Sequence, residues 1–116
     1  MHINEIIKIL DATPVTGELC KHREEDFHYA FSSDLMSDVL RLSTDNTILI
    51  TGLCNVQTIR TVEMAEIKLV ILARGKKADD SMIELAKEND ICILETDYSV
   101  YKVSGELYSG GVKPIY

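Results

Sequence analysis

Residues 47–64 read TILITGLCNVQTIRTVEM, and this stretch decides the fold. Its apolar run ends at a Thr-Gly pair, and apolar residues then recur at helical spacing from Val56 onward. A strand that breaks on glycine and opens into a helix is typical of a β-α unit, and nucleotide-binding folds place phosphate at this junction. The stretch therefore raises two questions, which fold it begins and whether residues 51–55 bind a ligand.

The same pattern occurs three times in succession. Strands are predicted at 47–51, 68–73 and 91–95, and helices at 55–66, 79–89 and 98–109. The strands are continuous apolar runs without alternation, which is typical of a parallel sheet covered on both faces. We therefore predict the α/β class, with residues 1–116 forming a single small domain whose mostly parallel sheet carries helices on both faces.

The N-terminal segment supplies one more helix and a loop. Apolar residues at helical spacing predict a helix over residues 3–10, and Thr13-Pro14 closes it because proline disfavours helix at the preceding residue. Residues 15–19 are predicted to form a small strand or a turn. The mixed charges of residues 21–26 indicate a solvated loop.

A second element pair is predicted before the first β-α unit. Phe27, Tyr29 and Phe31 alternate with smaller or polar residues, which predicts a strand with one aromatic face. Ser32 or Ser33 is then expected to cap a helix. The inner face of that helix would carry Leu35, Met36, Val39, Leu40 and Leu42, and residues 43–46 would form the following turn.

Composition and charge narrow the class of protein. A chain of 116 residues is one domain by size, and a net charge of −7 offers no basic stripe for nucleic acid. No segment approaches the roughly 18 consecutive apolar residues of a membrane span, and the N-terminus does not resemble a signal peptide. We expect a cytoplasmic protein that binds neither nucleic acid nor membrane.

The three cysteines are few and widely spaced. Cys20, Cys54 and Cys92 form no CxxC pair, and we interpret them as reduced thiols in a reducing compartment. Cys92 lies within an apolar strand and is predicted to be core. Cys54 lies just before a helix N-terminus, where a thiol pKa is lowered, so it is the candidate for a redox site. Nothing in the sequence brings a histidine beside it.

Candidate ligand-binding residues lie where the three strands end. Ligands of parallel α/β sheets gather at the carboxyl ends of the strands, and a small anion or a nucleotide would find amides, hydroxyls and positive charges there. Each feature also has a structural interpretation: a tight turn at Gly52, a solvated loop at Lys76-Lys77, and helix caps at Asn55 and Asp97. The candidate residues are Thr51, Gly52, Asn55, Arg74, Gly75, Lys76, Thr96 and Asp97.

Other motifs carry little chemistry. Gly52 lacks the companion glycines of GxGxxG, and the chain has no GxxxxGK loop, so a phosphate loop is not predicted. Asp34 and Asp38 are expected on one helix face, and residues 24–26 form a second acidic group; solvated charge is the favoured interpretation for both. No metal site, cofactor or catalytic set is expected.

Several ordered blocks nevertheless form a family pattern. The stretches SSDLMSDVLRL, ILITGLCNVQTIRTVEMAEIKLVILARGKK and MIELAKENDICILETDYSVYKVSGELYSGGV resemble the DRTGG domain family in its stand-alone form, and HINEIIKILDATPVTGE resembles that family's opening helix and strand. The five-residue signature that names the family does not occur here as a string. The strand-end loops read TGLCN and ARGKK instead.

The resemblance implies a regulatory or interaction module without catalytic activity of its own. It implies a fold similar to the N-terminal domain of HPr kinase/phosphorylase and a tendency to form homodimers. It also implies a protein partner, such as a serine-kinase-like ATPase or a protein associated with iron hydrogenase. From the sequence itself, the C-terminal GVKPIY and the strand over residues 27–31 are candidates for pairing across a two-fold axis.

Three hypotheses of function follow. The first is a non-catalytic, homodimeric regulatory module that acts through a partner protein. The second is a sensor of a small ligand, a nucleotide or another anion, at the strand ends. The third is a thiol-based redox sensor that uses Cys54.

Overall fold

The computed structural model describes residues 1–21, 24–41 and 46–116, with only the backbone described at Leu19 and Lys21. Within these residues six strands form one sheet, with helices between them. The strands are β1 Thr13–Pro14, β2 Tyr29–Ser32, β3 Thr47–Thr51, β4 Leu69–Leu72, β5 Cys92–Glu95 and β6 Lys113–Pro114. The helices are α1 Ile3–Leu10, α2 Glu18–Lys21, α3 Met36–Val39, α4 Val56–Met64, α5 Asp80–Glu88 and α6 Val100–Ser109.

The sheet has the order β1-β5-β4-β3-β2-β6. Strands β2 to β5 run parallel, β6 is parallel to β2, and only β1 runs antiparallel to its neighbour β5 among the described strands. The short β6 pairs with Tyr29 and Ala30, so β2 is covered on that side over half its length. The prediction of a mostly parallel sheet is confirmed.

The central strands bury alternate residues on opposite faces of the sheet. In β3, Ile48 and Ile50 pack with residues of α1 and α6, whereas Leu49 packs with residues of α4 and α5. All five residues of β3 are buried. Helices therefore cover both faces, as the continuous apolar runs predict, because a strand buried on both sides has no polar face to alternate with.

The aromatic strand differs from the prediction. It begins at Tyr29, so the period of two does not extend back to Phe27. Phe27 is buried in the core formed with α1 and α6, and Phe31 packs at the edge of the opposite core. The prediction of a single aromatic face is therefore wrong.

The helix predicted after that strand is much shorter than expected. It covers only Met36–Val39, and its N-cap is Leu35, which makes no side-chain capping bond. The Ser33 hydroxyl instead accepts a hydrogen bond from the Leu35 N–H at 3.0 Å, a local turn that competes with helix. Val39 is buried, but Leu35 and Leu40 are exposed. Leu42 and residues 43–45 of the predicted turn lie outside the described residues.

The connection after α1 also differs in detail. The strand in this region is Thr13–Pro14, and residues 15–17 form a turn that leads into α2. In the acidic segment, Asp26 forms an isolated antiparallel bridge with His2. His22 and Arg23 of the predicted loop lie outside the described residues.

The caps of the two later helices α4 and α6 agree with the sequence prediction in one case and differ in the other. Asn55 caps α4 and accepts a hydrogen bond from the Thr58 N–H, as predicted. Ser99, and not Asp97, caps α6, because its hydroxyl accepts from the Lys102 N–H. After α6 the predicted glycine stop is Gly111, which has a φ of 103° that glycine adopts without steric cost.

Two cysteines meet across the fold. Cys20 of α2 and Cys92 of β5 form a disulfide with their Cα atoms 5.3 Å apart, and both are fully buried. Cys92 is core, as predicted, but the interpretation of both residues as reduced thiols is wrong, and it no longer supports a reducing compartment. The sequence separation of 72 residues gives no pairing signal; packing of α2 against β5 brings the two sulfurs together.

Candidate functional site

The carboxyl ends of β2 to β5 lie along one edge of the sheet because these strands are parallel. Thr51 is the last residue of β3, and Gly52 follows it; both are buried. Asp34 comes two residues after the end of β2, and Arg74 comes two residues after the end of β4. The three neighbouring strands therefore bring a hydroxyl, a backbone amide, a carboxylate and a guanidinium into one cluster.

Asp34 is the centre of this cluster. The Thr51 hydroxyl donates to Asp34 Oδ1 at 2.8 Å, and the Gly52 N–H donates to the same oxygen at 2.9 Å. The hydrogen bond from Gly52 and then the one from Thr51 hold the pKa of Asp34 below its ordinary value, with a smaller contribution from the charge of Arg74. The carboxylate is therefore ionised at neutral pH and tied to the end of β3.

Arg74 approaches the same point from β4. Its own N–H donates to the Tyr98 carbonyl at 2.8 Å, and its φ of 65° lies in the left-handed region. Its Nη2 donates to the Gly52 carbonyl oxygen at 3.2 Å and lies 4.0 Å from Asp34 Oδ2. The side chains of Arg74 and Asp34 are 51% and 56% exposed, so a solute in water can reach both groups.

Gly52 makes this approach possible. A Cβ atom built at Gly52 would overlap the guanidinium of Arg74. The glycine predicted from sequence as a strand break therefore also makes room for a cation against the backbone.

Gly75, Thr96 and Asp97 form the neighbouring part of the same edge. The Gly75 N–H donates to the Thr96 carbonyl at 3.0 Å, and a Cβ at Gly75 would lie 3.3 Å from Asp97 Oδ1. The Thr96 hydroxyl donates to the Leu10 carbonyl at 2.7 Å and is buried. Thr96 thus joins β5 to α1 through its side chain, whereas Asp97 is exposed at the surface.

The other predicted ligand residues lie further along the loops. Asn55 uses its side-chain oxygen to cap α4, so its sequence-based structural interpretation holds. Lys76 is exposed, and its charge acts on Cys54. The structure thus brings Thr51, Gly52 and Arg74 together as one group, with Gly75, Thr96 and Asp97 beside it.

Cys54 behaves differently from the prediction. Its Sγ donates to the Lys77 carbonyl at 3.0 Å and lies 3.8 Å from the Met82 sulfur. Burial raises its pKa, and the charges of Asp79 and Glu95 raise it further, against a lowering by Lys76. A lowered pKa was expected from the position before α4, but desolvation and nearby carboxylates outweigh the helix terminus here.

Two residues of this edge were not predicted as site residues. Asp34 was assigned to a helix face as solvated charge, whereas it lies before α3 and binds the end of β3. Glu95, the last residue of β5, is 7% exposed; its Oε2 accepts from the Ala78 N–H at 2.7 Å and its Oε1 lies 3.8 Å from Lys77 Nζ. Both come at or just after a parallel strand end, which is the signal that could have found them.

The opposite edge of the sheet carries a separate cleft. A cleft of about 440 Å³ lies at the opposite edge, lined by Glu25, Phe27, Asn46, Thr47, Glu66 and Lys68, and it contains none of the predicted site residues. Over the described ranges, no three acidic, histidine or cysteine side chains cluster as metal ligands. No helix in the described part of the chain has the length and apolarity needed to span a membrane.

The fold is a mostly parallel α/β sheet whose carboxyl-end edge carries the Asp34 cluster, and in folds of this class ligands are found at that edge. The chain belongs to the DRTGG domain family, whose family model matches residues 5–109. The resemblance seen in the sequence is therefore confirmed.

A solved structure is similar to this chain. It is the crystal structure of the CBS and DRTGG domains of the regulatory region of Clostridium perfringens pyrophosphatase, complexed with its activator, diadenosine tetraphosphate. The match has a TM-score of 0.74 at 19% identity and covers 90% of this chain and 44% of the other chain. This chain thus corresponds to less than half of that regulatory region. No curated protein sequence matches it.

Proposed function

We propose that this chain is a non-catalytic regulatory module that binds a small anionic ligand at the carboxyl ends of β3 and β4. One observation carries the proposal: the Thr51 hydroxyl, the Gly52 N–H and the Arg74 guanidinium converge on a single carboxylate. Carboxylate and phosphate oxygens accept hydrogen bonds from the same donors, and charged partners strengthen them. Exposure of about half of the Arg74 side chain leaves this group accessible to a ligand.

The ligand class follows from the donors. One hydroxyl, one backbone amide and one guanidinium suit the terminal oxygens of a phosphate or a carboxylate, and the exposed Lys76 in the same loop suits a second negative group. Nucleotides and other phosphorylated metabolites are therefore the first candidates. The similar pyrophosphatase region was solved with a nucleotide activator, so diadenosine tetraphosphate belongs among the probes.

A thermal-shift panel of nucleotides, inorganic phosphates and small carboxylates tests this function. A ligand present at 100 times its dissociation constant stabilises the folded state by about 2.7 kcal/mol. We expect at least one anion to raise the melting temperature of the wild type and to lose this effect in Arg74→Ala. Arg60→Ala, which removes a surface arginine from α4, is the matched control and should respond as the wild type. A flat panel would remove the ligand-sensing function.

We further propose that the module forms a homodimer and transmits its state to a partner protein. Family membership supports this, and so does the exposure of Tyr101, Tyr108 and Tyr116, which are 89%, 69% and 89% exposed. Molar mass from light scattering over a range of concentrations tests the dimer. A monomer at every concentration, with no partner recovered by pull-down from its own host, would contradict both parts of this proposal.

A redox function through Cys54 has less support. The raised pKa disfavours the thiolate, which is the reactive form. The ligand-sensing function is preferred because its donors already hold an anionic group.

A further inference from the structure

We infer that Asp34 is an internal competitor for the ligand, and that an anion binds at Thr51, Gly52 and Arg74 by displacing this carboxylate. The inference rests on the proposed function and adds a regulation of the same site. It concerns a residue outside the predicted ligand set. The contacts of Asp34, the rigidity of the donors and the position of Asp34 in the chain support it in turn.

The contacts of Asp34 are those expected of a bound anion. A single oxygen, Oδ1, accepts from both the Thr51 hydroxyl at 2.8 Å and the Gly52 N–H at 2.9 Å. The other oxygen, Oδ2, faces Arg74 Nη2 at 4.0 Å, beyond hydrogen-bond distance. The carboxylate thus satisfies the donors of β3 fully but engages the guanidinium only by charge. A phosphate group, with more oxygens and more charge, has the capacity to engage both.

The donor residues Thr51 and Arg74 also have contacts that do not involve Asp34. Thr51 is the fully buried end of β3, and its Oγ1 also accepts from the Leu53 N–H at 3.1 Å. The Arg74 guanidinium donates to the Gly52 carbonyl, and its backbone is held by the Tyr98 carbonyl. A site whose donors are fixed by the sheet and by neighbouring loops stays formed when its occupant leaves.

Asp34, by contrast, lies outside the strands and helices; the Ser33 N–H before it donates to the Ile50 carbonyl, but its own carboxylate is half in water. It lies in a bend between β2 and the four-residue α3, and its side chain is 56% exposed. The next residue, Leu35, is 59% exposed, so it adds little packing beside the carboxylate. A half-exposed carboxylate loses little on returning to water, so its displacement costs less than that of a buried group.

Removal of the competing charge tests the inference. We compare the wild type with Asp34→Asn and with Asp34→Ala, using inorganic phosphate, pyrophosphate and ATP as probes in calorimetric titrations. The matched control is Asp38→Asn, which removes the same charge from the neighbouring helix α3. Both Asp34 variants should bind the probe at least about 5-fold more tightly than the wild type, the lower end of typical coupling between two ligands. Asp38→Asn should match the wild type.

The outcomes separate this inference from the proposed function. If the wild type binds a probe and the Asp34 variants bind it equally or more weakly, competition by Asp34 is wrong and ligand sensing stands. If the Asp34 variants alone bind, the competition is supported directly. If none of the proteins binds phosphate, pyrophosphate or ATP, the inference fails, and the other nucleotides and the carboxylates of the thermal-shift panel decide whether the proposed function stands.

An NMR measurement gives a second readout for the same variants. In the wild type, the chemical shift of the Gly52 amide proton should change on addition of the probe, because a phosphate oxygen replaces the carboxylate as its acceptor. In Asp34→Ala the same chemical shift should start at the value of a solvent-exposed amide and end at the bound value of the wild type. Different chemical shifts of this proton in the two bound states would contradict a shared site.

Discussion

The Arg74 guanidinium occupies the space in which a side chain at Gly52 would lie. Its Nη2 donates to the Gly52 carbonyl at 3.2 Å, so a cation from the loop after β4 fills the space beside the glycine. The end of β3 and the loop after β4 therefore depend on each other for their conformation, and a substitution at Gly52 or Arg74 alters the site.

Gly52→Ala should displace the Arg74 side chain and weaken anion binding. Because the clash is with the end of a half-exposed side chain, we expect a loss of stability of less than about 1 kcal/mol. The control is Gly105→Ala in α6, where a Cβ meets nothing within 4 Å and removal of a helical glycine stabilises by about 0.5–1 kcal/mol. Thermal denaturation distinguishes them: Gly105→Ala should raise the melting temperature and Gly52→Ala should not.

Ser99→Ala should destabilise the protein more than Asp97→Ala. Ser99 accepts from the Lys102 N–H at the start of α6, and loss of such a cap costs about 1 kcal/mol. Asp97 is exposed and makes no capping bond to this helix, so its removal should change the free energy of unfolding by less than about 0.5 kcal/mol. Urea unfolding of both variants gives the comparison. A larger loss for Asp97→Ala would restore the sequence-based assignment of the cap.

The stabilising effect of Asp34 should disappear in acid. Its pKa is lower in the folded state than in the unfolded state, so its contribution is present above the ordinary aspartate range and is lost as the pH falls through the lowered value. The difference in unfolding free energy between the wild type and Asp34→Asn should therefore be constant near neutral pH and shrink in acid. Thr51→Val removes one donor and should raise the pKa of Asp34, as measured by carboxyl NMR titration. An unchanged titration in Thr51→Val contradicts the bond.

One thiol per chain should react with an alkylating reagent in denaturant without reductant, and three should react after reduction. The reason is the disulfide between Cys20 and Cys92, which leaves Cys54 as the free cysteine. In the entropic account, a disulfide that closes a loop of 72 residues raises the free energy of the unfolded chain by roughly 4 kcal/mol. Reduction should therefore also lower the melting temperature. Mass spectrometry gives the count. Three reactive thiols without reductant would support the sequence-based interpretation instead.

Native Cys54 should react more slowly at neutral pH than a small exposed thiol such as N-acetylcysteine. Burial and the carboxylates of Asp79 and Glu95 raise its pKa, and the thiolate is the reactive form. Lys76 opposes this shift, so Lys76→Met should slow the reaction further. Iodoacetamide kinetics followed by mass spectrometry measure both proteins. Reaction faster than the small thiol would revive the redox hypothesis.

The regular part of the fold was accessible from sequence for a physical reason. The runs Ile48 to Ile50, Leu69 to Leu72 and Cys92 to Leu94 are buried on both faces, so burial leaves a direct trace in composition. The bounds of β3 agree with the prediction to the residue. The helix after β2 was overestimated because apolar spacing does not reveal that Ser33 forms a local turn and that Leu35 and Leu40 stay exposed.

The sequence indicates the edge of the sheet on which the candidate residues meet, but not the carboxylate among them. Parallel strand ends fix the edge on which Thr51, Gly52 and Arg74 meet. The contact of Asp34 with Thr51 depends on the path of the bend after β2, which no periodicity encodes. The inward turn of Thr96 toward Leu10 likewise depends on the packing of α1 against the sheet edge.

The prolines in the two outermost strands have a consequence for how copies of the chain can meet. The Val15 and Lys113 N–H groups donate inward, to Ile93 and His28, so the nitrogens of Pro14 and Pro114 face the two open sides of the sheet. Proline has no N–H to offer there, and neither side can extend the ladder through it into a neighbouring molecule. Self-association should therefore use helical or loop surfaces, and continuous cross-molecule sheets, including fibrillar ones, are disfavoured at both ends.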